Sequence, residues 1–413
     1  NLALSEPEVN DKHEQEYQAW VSNKYKGLNW QKLTQSSSEK CEMVIQPLVE
    51  KAQFSDLVIK HKKALSSSLL KTLPICFRPT KYLNELSAIC SESDNKLAQC
   101  DIKKLAQTPW FYKNIENFSH VMIITESGGA NTQGGLILLD QNDSDKVFIH
   151  ELSHWLGLVD EYTLRYQQQK HSCLTNYISQ LGANLFVVRS DVSKEQAEKF
   201  TTRKLYPTNT CEGFTTQQSN SENNSQTFHY QAYKMFEETS FMEFLDIELS
   251  SHYADLIIKQ KTWRQSPTIH VTMAKELSST IKYNEQVMLF LAAKFNNLHA
   301  QYLLAEIKLS EQNLALASIY FQHAAQLGNI NSQLALAHAT SKNGWLSEDL
   351  KQSAFWYKKA AEQKDPFALY FYGKCFEMGW GCELSQQRAI ELYQQSSMLG
   401  NELAKKRLVK LDR

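Results

Sequence analysis

The sequence predicts an α+β domain followed by an all-α solenoid, and three observations carry that expectation. From His120 to Leu158 the chain reads strand, loop, strand, turn and helix, and the helix bears two histidines. Beyond about Leu298 the pattern is helical and self-similar. There the small pair Ala324-Ala325 recurs as Ala360-Ala361 and as Ser396-Ser397, each time 36 residues on. A period in the thirties with two helical patterns per unit signals stacked helix hairpins, each burying its apolar face against the next.

In chain order, residues 1–40 are polar and helix-leaning and end at Ser36-Ser37-Ser38, which predicts an N-terminal helical arm. "LPICFRP" (Leu73–Pro79) is a short strand candidate. "HVMIIT" (His120–Thr125) places four consecutive apolar residues between turn formers, the mark of a buried strand. The loop "ESGGANTQGG" leads to a second strand, "LILL", and "DQNDSD" turns the chain into a helix with Asp143, Ser144 or Asp145 as N-cap. Residues 215–227 are poor in apolar side chains and predict a mobile surface loop, with helix resuming near Phe228.

At 413 residues the chain exceeds one ordinary core. The expected division is the arm, an α+β domain over 41–265 and a solenoid over 285–413. The composition, 42% apolar and 22% charged, is that of a folded protein. A net charge of −1 offers no general attraction to nucleic acid or an anionic membrane, and no apolar run suggests a membrane span. Eight cysteines permit complete pairing, with Cys90/Cys100 and Cys375/Cys382 the closest in sequence and no zinc-knuckle spacing among them. The opening "NLALSEPEVN" reads as a trimmed terminus, so a secreted or bacterial periplasmic location is expected, the signal peptide having been removed.

The repeat "AFWYKKAAEQKDPFALYFYGKCFEMGWG" resembles the Sel1-like repeat, a variant of the tetratricopeptide unit, over about 115 residues from near Leu298. That resemblance implies an α-solenoid that binds a protein partner and has no chemistry of its own.

"KVFIHELSHWLGLVDEY" (Lys146–Tyr162) carries the chemistry. His150 and His154 stand on one helix face, a turn apart, and can present ring nitrogens to a single ion. Glu151 points beside that ion, where a general base takes a proton from an activated water. Gly157 stops the helix in a left-handed conformation. Asp160 then returns as a third ligand, with Glu161 as the alternative, while His171, His229, Glu195 or Glu198 would serve if the turn runs another way.

H-E-x-x-H-x-x-G-x-x-D resembles the metzincin metallopeptidase motif, with Asp160 where His is usual. Asp160 to Tyr162 is also similar, one residue out of register, to peptidases that cleave immunoglobulin A. Downstream, Ser240-Phe241-Met242 resembles the methionine turn of the same family. The resemblance implies a twisted mixed sheet with an active-site helix and one catalytic Zn2+ on His150, His154 and Asp160. It also implies Glu151 as catalytic base, Gly157 and Met242 as supports, and an edge strand at Gly135, Leu136, Ile137 and Leu138 that pairs with an extended protein or peptide substrate. Phe244 stands where some members carry a tyrosine, leaving Tyr162 and Tyr253 as candidates for that role. Cys173 and Cys211 would pair to stiffen the cleft wall; the sequence does not say whether the first hundred residues form a pro-segment, and no cysteine there sits in a switch motif, though Cys41 or Cys76 could reach the metal. The alternative is a non-catalytic scaffold whose metal site is structural or vestigial, against which Glu151 argues.

Overall fold

The structure, a computed structural model, describes residues 41–93, 96–175, 177–219, 225–277 and 282–411. The expected N-terminal arm lies outside these residues. The chain divides into two units, each made of two stretches rather than of consecutive domains: one runs to Leu156 and adds Trp263–Ile307, and the other joins Gly157–Thr262 to Lys308–Arg413.

In the first unit, β1 (Met43–Val49), α1 (Ser55–Ser67), β2 (Ile75–Phe77), β3 (Lys81–Tyr82) and α2 (Leu86–Ile89) lead to the hairpin β4 (Cys90–Glu92) and β5 (Ala98–Cys100). Then come α3 (Ile102–Gln107), α4 (Pro109–Asn114), β6 (His120–Thr125), β7 (Asn131–Gln133), β8 (Leu136–Asp140) and α5 (Asp145–Trp155). The main sheet has the order β2-β1-β6-β8-β7, with β3 also on β1. All its pairings are parallel except that of β7 with β8. Strands β1 and β6 are buried along their whole length, as parallel strands covered on both faces must be, which is why they read as unbroken apolar runs.

The expected substrate strand is corrected here. Leu136, Ile137, Leu138 and Leu139 are fully buried in β8, an interior strand between β6 and β7. The edge belongs to Asn131–Gln133, three polar residues that sequence patterning assigns to a loop. Nor do the glycines before β8 make room for a foreign backbone. A Cβ on Gly135 would lie 2.0 Å from the Ile269 nitrogen, and one on Gly134 2.2 Å from Thr272 Oγ1, so this chain's own residues fill the space.

In the second unit, α6 (Tyr166–Ser172), β9 (Ile178–Leu181), β10 (Leu185–Arg189), α7 (Lys194–Thr201), β11 (Tyr206–Thr208), β12 (Thr215–Ser219), β13 (Ser225–Lys234) and α8 (Ser251–Gln260) follow the motif. They form an antiparallel sheet of order β11-β13-β10-β9, with β12 on β13. The expected helix from Phe228 is thus overturned, as is the expected mobile loop at 215–219 and 225–227, residues 220–224 lying outside the described residues. Thr215–Ser219 pairs with Ser225–His229, and Phe228, Tyr230 and Ala232 alternate inward onto Val187 and the Cys173–Cys211 disulfide. A period of two in "FHYQAYK" was the signal for a strand.

The chain returns to the first unit with α9 (Ile269–Leu277), α10 (Lys282–Lys294) and the start of α11 (Leu298–Ser310). The second unit resumes with α12 (Leu314–Gln326), α13 (Ile330–Ala339), α14 (Leu350–Glu362), α15 (Pro366–Met378), α16 (Gln386–Met398) and α17 (Glu402–Leu411), each packed on the next. Ala324, Ala325, Ala360, Ala361 and Ser396 are buried between them, as the small-pair period requires. The same period appears in the caps. Asn313, Asp349 and Ser385, spaced by 36, accept from the backbone amides of Leu316, Gln352 and Arg388. Asn329, Asp365 and Asn401 do the same for Ser332, Ala368 and Ala404.

Three disulfides form: Cys41–Cys76, Cys90–Cys100 and Cys173–Cys211. Cys41 and Cys76 are engaged with one another, so neither is a thiol aimed at a metal. Cys375 and Cys382 are thiols, so pairing among the eight cysteines is incomplete. Among the described residues no helix is long and apolar enough to cross a membrane.

Two core histidines predict an acid sensitivity. Burial, with help from the neighbouring His270, lowers His120 from 6.5 to about 3. Burial likewise lowers His270 to about 4, against a hydrogen bond that its Nε2 donates to the Ile115 carbonyl. Between 6.5 and these values the unfolded chain binds protons that the folded chain does not, so stability is complete above that window and falls as pH falls through it. Each histidine costs about 1.4 kcal/mol for each pH unit below 6.5. Urea unfolding of metal-free protein at pH 7.5 and 5.5 should show this loss, and His120→Asn should remove the His120 share of it, about 1.4 kcal/mol at pH 5.5.

Candidate metal centre

Helix α5 starts where Ser144 accepts from the Val147 amide, one of the three N-caps the sequence offers. Asp145 follows in the first turn, favourable at the positive end of the helix dipole. Its carboxylate accepts from His61 Nδ1 at 2.9 Å, and the His61 ring stacks on Phe148. At the far end, Trp155 Nε1 donates to the Gly134 carbonyl at 2.8 Å and the indole packs on the His120 ring. The start of the helix is therefore fixed to α1 and its end to the main sheet.

Between those anchors stand His150 and His154, ring centroids 5.1 Å apart and nearly perpendicular. Glu151 is buried between them and the sheet edge: Thr132 Oγ1 donates to its Oε2 at 2.6 Å and lies 3.0 Å from its main-chain oxygen. The helix ends at Trp155, and Gly157 takes φ +87°, the left-handed turn that a side chain there would oppose.

Past Gly157 every turn of the chain is tied down. Ala183 N donates to the Gly157 carbonyl. Asn184 pairs through its side chain with both the amide and the carbonyl of Val159. Thr210 Oγ1 donates to the Asp160 carbonyl, and Glu161 N donates to the Met242 carbonyl at 3.0 Å. One ligand atom from each of His150, His154 and Asp160 lies within 4.8 Å of the others. Among the described residues this is the group of histidine, cysteine and acidic side chains arranged to hold an ion. Two imidazoles and a carboxylate are a donor set that suits zinc, with a fourth position left over.

The two acids of the "DEY" stretch take different work. Glu161 is fully buried and its oxygens are spoken for. Oε1 accepts from Tyr253 OH at 2.6 Å and Asn184 Nδ2 at 2.9 Å, while Oε2 accepts from Ser240 Oγ at 2.6 Å with Lys234 Nζ 3.7 Å away. A carboxylate so saturated braces the loop, and it is Asp160 that joins the group of His150 and His154. The Tyr253 hydroxyl is spent in that bond and fully buried, which removes it as a group that meets substrate. Ser240 also accepts from the Met242 amide at 3.1 Å, closing the tight turn predicted at Ser240-Phe241-Met242, all three residues buried. Glu195, Glu198, His171 and His229 stand outside the His150 group: Glu195, His171 and His229 are exposed, and Glu198 Oε1 accepts from the Leu205 amide. Thr132 and the bracing role of Glu161 escaped sequence reasoning, because each depends on a partner far along the chain.

The family model described as "Sel1 repeat" matches residues 298–329, 331–365 and 366–401. No curated protein matches the chain. Among solved structures, the chain is similar to a Sel1 repeat protein from Oxalobacter formigenes, at 25% identity over 34% of this chain and 97% of that one, with TM-score 0.27. It is also similar to c5321, a protective antigen of uropathogenic Escherichia coli strains displaying an SLR fold, at 19% identity over 39% of this chain and 36% of that one, with TM-score 0.31. At those TM-scores neither superposition bears weight, and the identification rests on the three matched stretches. Following the mixed α/β region, the C-terminal part of the chain is an array of Sel1 repeats, units that typically mediate protein interactions.

Proposed function

We propose that this protein is a zinc-dependent endopeptidase of metzincin type whose Sel1 repeats bind a protein partner. The observation that carries the reading is the convergence of His150, His154 and Asp160, with Glu151 beside them and Glu161 engaged elsewhere. The three converging side chains would hold the ion. When bound, zinc supplies Lewis acidity to a water and to the scissile carbonyl.

The remaining steps belong to the chain. Glu151 takes the proton of the attacking water and passes a proton to the leaving amine. Asn131–Gln133, the outermost strand of the main sheet, pairs with an extended substrate by strand addition, in place of Gly135–Leu138. The segment just upstream is covered, since Ala98 N donates to the Gly129 carbonyl and Gly129 N to the Lys96 carbonyl, and the Asn131 side chain donates to the Ala98 carbonyl, so docking is confined to Thr132 and Gln133 of β7. Three disulfides support a secreted or periplasmic location.

A second reading, a non-catalytic scaffold with a structural or vestigial metal site, draws on the repeats being the part that a family model matches. Metal analysis and proteolysis separate the two. The peptidase reading expects a single zinc per chain, cleavage of a denatured protein, loss of cleavage with a chelator and recovery with added zinc. Zinc bound without cleavage across a broad peptide library establishes the scaffold instead.

A further inference from the structure

We infer that Thr132 is a positioning residue that couples docking of the substrate backbone to the orientation of Glu151; this rests on the peptidase reading above. Thr132 is the middle residue of β7, opposite Ile137 of β8. Its hydroxyl has one proton and two acceptors in reach, the Glu151 carboxylate oxygen at 2.6 Å and the Glu151 main-chain oxygen at 3.0 Å. The shorter contact, to an ionised oxygen, is the stronger. A β-branched side chain on a paired strand has little rotamer freedom, so the donor is held by the sheet rather than by the helix it serves.

The placement has a consequence for substrate. Strand β7 is three residues long and, among the described residues, has its backbone ladder with β8; at its start the Asn131 side chain donates to the Ala98 carbonyl of β5 at 3.3 Å, so Thr132 and Gln133 are the part of its outer side left to a peptide. A peptide laid along that outer side supplies a second ladder of backbone bonds and immobilises the strand that carries Thr132. Residues of the substrate remote from the scissile bond thereby steady the base. Binding energy spent in this way raises kcat rather than lowering KM.

Thr132→Val keeps the shape and removes the donor, and Thr132→Ser keeps the donor. The Val variant should retain zinc content and KM while kcat falls about tenfold to a hundredfold, the range for a hydrogen bond to a charged group, and Ser should restore most of it. In the wild type, kcat should climb as peptides are lengthened along β7, and the Val variant should lose that climb. Crystal structures of both metal-free proteins give a readout independent of turnover: the Glu151 carboxylate should sit against Thr132 in the wild type and leave that place in the Val variant. An unmoved carboxylate, an unchanged kcat, or equal losses in Val and Ser overturns the inference. A wild type that cleaves nothing, with a carboxylate that moves in the Val variant, sinks the peptidase reading and leaves the positioning contact standing.

Discussion

Glu151→Ala should bind its metal as the wild type does and cleave peptide bonds about a hundredfold to ten-thousandfold more slowly, the span that general acid–base catalysis supplies. The separation is possible because Glu151 is outside the converging donor group, and its one described side-chain bond is to Thr132. Removing its carboxylate deletes the proton acceptor and leaves His150, His154 and Asp160 in place. Metal content by plasma emission spectrometry, set beside kcat on one peptide, makes the comparison. A variant that loses zinc and activity together would assign Glu151 to holding the ion, and one that keeps full activity would place the base elsewhere.

Glu161→Ala should do the opposite, harming the fold and the metal site together. The substitution removes the carboxylate that four groups share: the Tyr253 hydroxyl, the Ser240 hydroxyl, the Asn184 amide and the Lys234 ammonium. Lys234 retains Glu243 at 2.9 Å and Asn184 Nδ2 retains the Val159 carbonyl at 2.8 Å, while the buried Tyr253 and Ser240 hydroxyls lose the acceptor they share. Leaving a buried donor without its acceptor costs about 1–3 kcal/mol for each group stranded. The loop bearing Asp160 loses its brace at the same time, and loss of such an outer contact weakens metal affinity about tenfold to a hundredfold. Chemical denaturation and competitive zinc titration measure the two effects. Glu161→Gln preserves shape and some of the bonds and should fall between wild type and Ala. If Ala leaves both quantities unchanged, the network is ornamental and the loop is held by its backbone bonds alone.

Much of this protein was legible before any coordinates. A helical face repeats every turn, so His150 and His154 had to be neighbours, and Gly157 had to end the helix because the left-handed turn disfavours a Cβ. The Sel1 array was legible for the same reason of locality: each small pair and each capping residue acts within its own hairpin or on the next, so the period survives in the sequence. Buried parallel strands β1 and β6 contrast in outcome. The apolar run of β6 stood out between turn formers, whereas β1, with Gln46 and Pro47 in its middle, did not.

What tertiary structure decided is everything that depends on a partner distant in sequence. Asp160 and Glu161 are adjacent and carry the same functional group, and only Asn184, Ser240 and Tyr253, brought in from 23, 79 and 92 residues away, tell the acid engaged in a network from the acid that joins His150 and His154. The sheet's edge moved from Leu136–Leu139 to three polar residues because an edge strand needs a partner on one side only and so leaves almost no apolar signature. Local periodicity is written in neighbours and can be read from the chain. Which of two like side chains meets a given cavity is settled by packing energy summed over the whole fold.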